Sequence, residues 1–340
     1  MVDVIIPAYN AEKKIYKALS SLAVQTNKDF IVYIVDDGSS DNTQKEIDKF
    51  SDYINIEYLK CEHLGKPGLV RNYGLDHSNS DYVMFCDSDD FFAPNAIEII
   101  SKTFNDFPDL DFLISFFYEQ LQSGDFIQKN QTATTWLHGN AYKREFLYKY
   151  DIRFPSQKLN EDGAFNTQVY LFSDKFKIIS LPIYYWMYDT SSLTRINSDK
   201  NNHIFTFNSF VDLVDSLNFA YNNLLHKNGY SDKVLSNMGS HLAVFYFKLC
   251  DLAYCYTTEN KKYKKYYTAA VTSLSNFFNN IDKSCIFNSH EFKNGFCSQY
   301  IKRNSSSALL TLDSYFSIFG VKNYISADDF CGLLQSNIQN

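Results

Sequence analysis

The first part of the chain alternates between short apolar runs and segments in which apolar residues recur every three or four positions. The run 2–6 is typical of a strand buried on both faces, and 30–35 is typical of a second buried strand rich in β-branched residues. A third strand is predicted at 54–59 and a fourth at 82–86. The segments between them predict helices, and the first helix places on one face Ile15, Ala18, Leu19 and Leu22. This alternation predicts a mostly parallel sheet with helices on both faces.

Two helix starts carry residues that are typical of caps. Asn10 precedes the first helix and is expected to cap it. Residues 43–46 have the spacing of a capping box for the second helix, whose inward side would be Ile47 and Phe50. A third helix is expected over 69–75.

The pattern changes along the rest of the chain. Strands are predicted at 113–118 and 177–185, and Glu161 is expected to open a helix between them with its apolar face formed by Phe165, Val169 and Phe172. After about residue 204, aromatic residues at helical spacing take over, as at 210–225 and 242–254. We therefore predict an α/β domain over 1–200 and an all-α domain over 201–340, separated in the polar stretch 197–202.

Polar residues follow three of the predicted strands, at 9–12, 36–42 and 87–90. Right-handed crossovers place the carboxyl ends of parallel strands at one edge of the sheet. Ligands of open α/β sheets bind at that edge. The three clusters are therefore expected to form one site.

Composition narrows the class of protein. The 340 residues (39.5 kDa) suit about two domains, and a chain that is 45% hydrophobic and 21% charged can bury a sizeable core. A net charge of -7 gives no chain-wide electrostatic reason for binding nucleic acid. Seven cysteines without a C-x-x-C pair, no long apolar stretch and no signal-peptide pattern at the start favour the cytoplasm.

The acidic cluster at 87–90 directly follows a buried strand. Closely spaced carboxylates repel each other, and a hard divalent cation that brings a diphosphate would hold them together. The alternative is an acidic turn that caps the next helix. A second cluster, 36–41, offers an acidic side chain to a nucleobase or ribose, although Gly38 and the serines could equally form a plain turn.

Taken in order, these segments resemble the family 2 glycosyltransferases of the bacterial surface-polysaccharide and glycoprotein type, which are inverting enzymes with a GT-A fold. The resemblance extends from Val2 to about Arg195. It rests on these segments: 4–10, 35–41, Gly65, 71–75, 87–89, 161–162, 184–186 and 191–195. Their combined order and spacing is specific, although each segment alone is weak.

The resemblance implies a role for each of the matching residues that would form the donor site. Pro7, Ala8, Tyr9 and Asp37 would line the uridine pocket of a UDP-sugar, with Arg71 nearby. Asp87, Ser88 and Asp89 would meet the ribose and diphosphate, and Asp87 and Asp89 would bind Mn²⁺ or Mg²⁺. For Arg71 the alternative is a salt bridge on the helix surface.

The family's general base corresponds to Asp162, which would take the proton of the attacking acceptor hydroxyl. Glu161 would position the loop, and Arg195 would clamp the diphosphate. Trp136 and His138 are expected near the acceptor or sugar pocket, with a structural histidine as the alternative. The pair at 161–162 could otherwise be acidic residues that favour a helix N-terminus.

We expect a metal-dependent inverting glycosyltransferase that moves a hexose or N-acetylhexosamine from a UDP-sugar to a glycan, lipid-linked sugar or glycoprotein. The alternatives are a catalytically silent sugar-binding scaffold and a nucleotidyltransferase, although the latter usually opens with a glycine-rich loop. The helical domain would bind the acceptor, form a homodimer or touch the inner face of the membrane through its lysine-rich and tyrosine-rich run 261–267. No nucleic-acid partner is expected.

Overall fold

The computed structural model describes residues 1–131, 136–189, 203–255, 263–302 and 312–321. It divides into two compact units, Met1–Ile196 and Asn197–Asn340. The polar stretch 197–202, in which a boundary is expected, lies outside the described residues. The two units are described in turn.

The N-terminal unit is built on one mixed sheet. Its described strands are β1 (Val2–Ala8), β2 (Phe30–Asp36), β3 (Ile56–Lys60), β4 (Tyr82–Phe85), β5 (Phe91–Phe92), β6 (Phe112–Gln120), β7 (Phe126–Lys129), β8 (Ala141–Lys143) and β9 (Phe176–Trp186). Their order is β3-β2-β1-β4-β8-β6-β9-β5, and β7 pairs with β6. The first four strands of this order are parallel, and β6 pairs in parallel with β9.

Helices connect these strands. They are α1 (Ile15–Ala23), α2 (Thr43–Asp48), α3 (Pro67–His77), α4 (Ala96–Asp106), α5 (Arg144–Lys149) and α6 (Glu161–Phe172). The apolar residues predicted to face inward on α1, α2 and α6 are all buried. The α/β prediction is confirmed, because β1 and β2 are buried on both faces, as strands of a covered parallel sheet must be.

The two predicted helix caps are wrong. Helix α1 begins at Ile15, and Asn10 instead has φ 48° and accepts a hydrogen bond from the Ser40 amide through Oδ1 at 2.9 Å. Thr43 is the first residue of α2, and its hydroxyl accepts from the Ala11 amide at 2.8 Å. Both side chains connect the segment after β1 to the segment after β2. Their oxygen atoms accept hydrogen bonds across this contact and therefore do not cap a helix.

The C-terminal unit contains only helices in its described residues, which confirms the predicted α class of this region. They are α7 (His203–Asn228), α8 (Asp232–Tyr254), α9 (Lys264–Asn279), α10 (Lys283–Asn288), α11 (His290–Lys302) and α12 (Leu312–Ile318). Helices α8 and α11 cross closely at Gly239 and Gly295, where an added Cβ would lie 2.1 Å from the Phe292 carbonyl and 1.9 Å from the Ser236 carbonyl. In the described part of the chain, no helix is long and apolar enough to cross a membrane.

Candidate active site

The loops that follow β1 and β2 meet at the carboxyl edge of the sheet, as the strand order predicts. The Asp37 amide donates to the Ala8 carbonyl at 2.8 Å, and the Asn10 amide donates to the Ser39 hydroxyl at 2.9 Å. Ala8 is buried, Pro7 is half-buried and Tyr9 is exposed. These contacts confirm the predicted convergence for the segments 9–12 and 36–42.

Asp37 holds the loop that follows β3 against this edge. Its buried carboxylate accepts hydrogen bonds from the Leu64 amide at 2.5 Å and the Gly65 amide at 2.9 Å. The His63 ring lies 3.1 Å from the same carboxylate and stacks on Tyr9 with ring centroids 4.5 Å apart. Tyr9 is 52% exposed, so a flat aromatic surface lies beside a buried hydrogen-bond acceptor. Such an arrangement suits a planar heterocycle.

Sequence analysis did not identify His63, although the residue stands two positions before Gly65, one of the segments on which the resemblance rests. Gly65 adopts φ +65°. This left-handed conformation favours glycine and turns the loop back so that its amides meet Asp37.

The acidic turn after β4 separates into buried and accessible carboxylates. Asp90 is buried and accepts from the Tyr184 hydroxyl at 2.7 Å and the Met187 amide at 2.8 Å. The Tyr184 hydroxyl in turn accepts from the Asp87 amide at 3.1 Å. Asp90 thus stabilises the turn from its buried side, whereas Asp87, Ser88 and Asp89 are half-buried.

Arg71 of α3 joins this turn to the start of α6. Its guanidinium donates to Asp87 Oδ1 at 2.6 Å and to Glu161 Oε1 at 3.1 Å, and it lies 3.4 Å from Asp162 Oδ1. The Arg71 side chain is only 4% exposed, so the alternative of a helix-surface salt bridge is wrong. The contacts described for Arg71 connect it to these three carboxylates and not to Asp37.

The shared guanidinium gives the three carboxylates different proton affinities. Burial raises the pKa of Asp87, but Arg71 and then His138 lower it, and the resulting pKa is below the ordinary value. Burial raises the pKa of Asp162 well above its ordinary value, and Arg71 only partly offsets this increase. Burial likewise raises the pKa of Glu161. The site therefore contains an ionised carboxylate beside one with a strongly increased affinity for a proton.

The carboxylates of Asp87 and Asp89 provide a donor set that fits a hard divalent cation. Burial and the neighbouring Asp87 raise the pKa of Asp89 to about 6, as expected for a carboxylate that lacks enough positive charge nearby. Among the residues that the structure describes, no group of three or more histidine, cysteine, aspartate or glutamate side chains is arranged to hold a metal ion. Two carboxylates fit an ion such as Mg²⁺ that takes its other ligands from water and substrate phosphates.

Of the remaining predicted residues, two pack against aromatic rings and one lies outside the described chain. His138 is 6% exposed and stacks on Tyr184 at 5.0 Å, while Trp136 is 36% exposed and packs edge-on against Phe117. His138 is thus a buried ring that contributes to the field at Asp87. Arg195 lies outside the described residues.

Comparisons with known proteins show which sequences the chain is similar to. Residues 3–160 match the family model described as glycosyl transferase family 2. The chain is 28% identical to glycosyltransferase GlyA of Streptococcus pneumoniae over 277 residues, which cover 72% of this chain and 36% of that protein. It is 30% identical to poly(ribitol-phosphate) beta-N-acetylglucosaminyltransferase TarS of Staphylococcus aureus over 201 residues, which cover 54% of this chain and 35% of TarS.

The fold also matches a solved structure. Staphylococcus aureus TarS 1–349 in complex with UDP superposes with a TM-score of 0.64 at 20% identity, covering 88% of each chain. The molecule therefore has a GT-A domain followed by a helical region. The aligned segments span about a third of the length of the two curated relatives. Over residues 3–160 of its N-terminal unit, the chain therefore matches glycosyl transferase family 2.

Proposed function

We propose that the protein is a metal-dependent inverting glycosyltransferase. It would transfer a hexose or N-acetylhexosamine from a UDP-sugar to a hydroxyl of a glycan, lipid-linked sugar or glycoprotein by single displacement. The match to the family model supports the reaction class, and the name of TarS and the UDP bound in its structure support the donor. The alternative is a catalytically silent nucleotide-sugar-binding or glycan-binding scaffold on the same fold.

The observation that carries the proposal is the guanidinium of Arg71, held between Asp87 and the pair Glu161–Asp162. The pKa of Asp87 is lowered and the pKa of Asp162 is raised. Two carboxylates with pKa values shifted in opposite directions suit different roles in one reaction. Asp87 would belong to the donor side, and the raised pKa of Asp162, caused by burial, suits a general base.

In the proposed step, Asp162 accepts the proton of the acceptor hydroxyl as that oxygen bonds to the anomeric carbon. The bond between the anomeric carbon and the diphosphate oxygen breaks on the opposite face, and UDP departs with its electron pair. Attack opposite the leaving group inverts the anomeric centre through an oxocarbenium-like transition state. Glu161, bound to Arg71, would hold the start of α6 in place.

The donor would lie along the sheet edge. Tyr9, whose ring stacks on His63, would stack against the uracil ring, and Asp37 would fix the loop beside it, together with Pro7 and Ala8. Asp87 and Asp89 would hold Mn²⁺ or Mg²⁺, which when bound offsets the charge that develops on the departing diphosphate. Ser88 and Arg195 are proposed as further diphosphate contacts, and Trp136 and His138 as part of the sugar or acceptor pocket.

The test combines binding and turnover. UDP binding is measured by calorimetry with Mn²⁺ and with EDTA, and UDP release is then followed from a panel of UDP-sugars. We expect one donor to be hydrolysed slowly without acceptor, with the activity lost in EDTA and in Asp89→Ala. Asp76→Asn, which changes a 57% exposed carboxylate on α3, serves as the control. Absence of UDP binding under both conditions would refute the donor assignment.

The scaffold alternative makes a different prediction in the same assays. A silent protein would bind UDP but release none from any donor with acceptor extracts added, and Asp162→Asn would then change nothing. For the helical unit we propose acceptor binding, with dimerisation and contact with the inner membrane face as alternatives. Lys261 and Lys262 of the basic run lie outside the described residues.

A further inference from the structure

We propose that Asn72 is a positioning residue for the transfer reaction, because it fixes the chain segment that leads to Glu161 and Asp162. The inference rests on the proposed function and assigns a role to a residue of the segment 71–75 that the proposed mechanism does not use. Asn72 lies on α3, directly after Arg71, and is half-buried.

The Asn72 carboxamide pairs with both backbone polar groups of a single residue. Its Nδ2 donates to the Phe154 carbonyl at 2.9 Å, and its Oδ1 accepts from the Phe154 amide at 2.9 Å. Phe154 is buried, so these groups need partners within the protein. The two bonds fix both the position and the direction of the backbone at Phe154.

Helix α3 also contacts the same segment one turn earlier. A Cβ added at Gly68 would lie 2.8 Å from the Pro155 carbonyl, 2.9 Å from the Phe154 Cβ and 3.4 Å from the Glu161 Cβ. Because Gly68 has no side chain, the segment 154–161 can pack against α3 at Phe154 and Pro155 and again at Glu161. Gly68, Arg71 and Asn72 occur at helical spacing and share one face of α3.

The Phe154 ring transmits this placement to the catalytic pair. It stacks on Phe165 of α6 with centroids 4.1 Å apart and meets Phe85 of β4 edge-on at 5.1 Å. The Arg71 guanidinium lies 5.5 Å from the same ring. A shift of Phe154 would therefore move α6, whose first two residues are Glu161 and Asp162, relative to the acidic turn that follows β4.

The part of the donor site proposed for the uracil ring is built from other elements. Tyr9, Asp37 and His63 lie at the ends of β1, β2 and β3, and the described contacts of Asn72 do not include them. Loss of the Asn72 carboxamide should thus misplace the general base while leaving UDP affinity intact. A displacement of about 1 Å in such a group reduces the rate by about 10²-fold.

The experiment compares Asn72→Ala with Asn72→Gln, which retains the carboxamide, in the full chain. Ser78→Ala is the matched control, because it removes a buried side-chain hydrogen bond, 2.8 Å long, at the far end of the same helix. The measurements are kcat and KM for the UDP-sugar that wild type turns over, the Kd for UDP with Mn²⁺, and the melting temperature. We expect Asn72→Ala to lower kcat by about 10–10²-fold with Kd within about threefold, and Asn72→Gln to recover part of kcat.

Gly68→Ala provides a second variant in case Asn72→Ala fails to fold, since it displaces the same segment but keeps the carboxamide. It should also lower kcat more than the Kd for UDP changes. A kcat equal to that of Ser78→Ala in both variants would overturn the role of Asn72. A loss of UDP affinity as large as the loss of kcat would also overturn it. A wild-type protein that neither bound UDP nor turned over any donor would instead overturn the proposed function.

Discussion

Replacement of Arg71 by methionine tests whether the guanidinium neutralises the acidic cluster. Methionine keeps much of the side-chain length and apolar contact but removes the positive charge shared by Asp87, Glu161 and Asp162. Arg71 is 4% exposed, so water cannot replace its contacts fully. The variant would therefore leave carboxylates in a poorly solvated site without their counter-charge.

The expected cost at pH 7 is about 3–5 kcal/mol of the free energy of unfolding, the range found when one partner of a buried ion pair is removed. The Arg153→Met variant gives the comparison. Arg153 lies 3.2 Å from Asp76, whose side chain is 57% exposed, and an ion pair of this kind contributes about 0–1 kcal/mol.

The loss of unfolding free energy in Arg71→Met should increase with pH. Arg71 lowers the pKa of each of the three carboxylates, so its removal raises all three pKa values in the folded state. The folded variant then binds more protons than the folded wild type, while the unfolded chains bind nearly equal numbers. The difference in unfolding free energy therefore grows as pH rises, by about 1.4 kcal/mol per pH unit for each additional proton.

Urea unfolding followed by tryptophan fluorescence measures this difference at pH 5.5 and 7.5. Both tryptophans of the chain, Trp136 and Trp186, belong to the N-terminal unit, so the signal reports on the unit that contains Arg71. A cost no larger than that of Arg153→Met, or one that did not grow between the two pH values, would refute the reasoning.

Three further predictions concern the base, the metal ligands and the helical unit. Asp162→Asn should lower kcat for UDP release by about 10²–10⁴-fold without weakening UDP binding, and an unchanged kcat would exclude Asp162 as the base. UDP binding that depends on Mn²⁺ should weaken as the pH falls through about 6, where Asp89 takes up a proton, and calorimetry showing equal affinity at pH 5.0 and 7.5 would contradict this. Gly239→Ala should lower the free energy of unfolding by about 1–3 kcal/mol, because the new Cβ would lie 2.1 Å from the Phe292 carbonyl. Thermal unfolding followed by circular dichroism measures this change. Gly163→Ala is the steric control, because its Cβ would meet nothing within 4 Å.

Parts of the fold could be predicted because local pattern and tertiary environment agree. The parallel strands β1 and β2 are continuous apolar runs, which only a sheet covered on both faces accommodates. Strands β5 and β8 have two and three residues, so neither is long enough to show a period. Asn10 and Thr43 were misassigned because their polar groups bond across two loops and not within a helix.

In the candidate site, too, some residues could be predicted from local sequence pattern and others depend on tertiary contacts. Asp37, Asp87 and Asp89 could be proposed because each follows a strand end, and the topology of a parallel sheet places such positions at one edge. The contact between Arg71 and Glu161 joins positions 90 residues apart, and the pairing of Asn72 with Phe154 joins positions 82 apart. No local pattern encodes either distance. The adjacent residues Arg71 and Asn72 of α3 thus connect the acidic turn, Glu161 and Phe154, and these contacts follow only from how that helix packs.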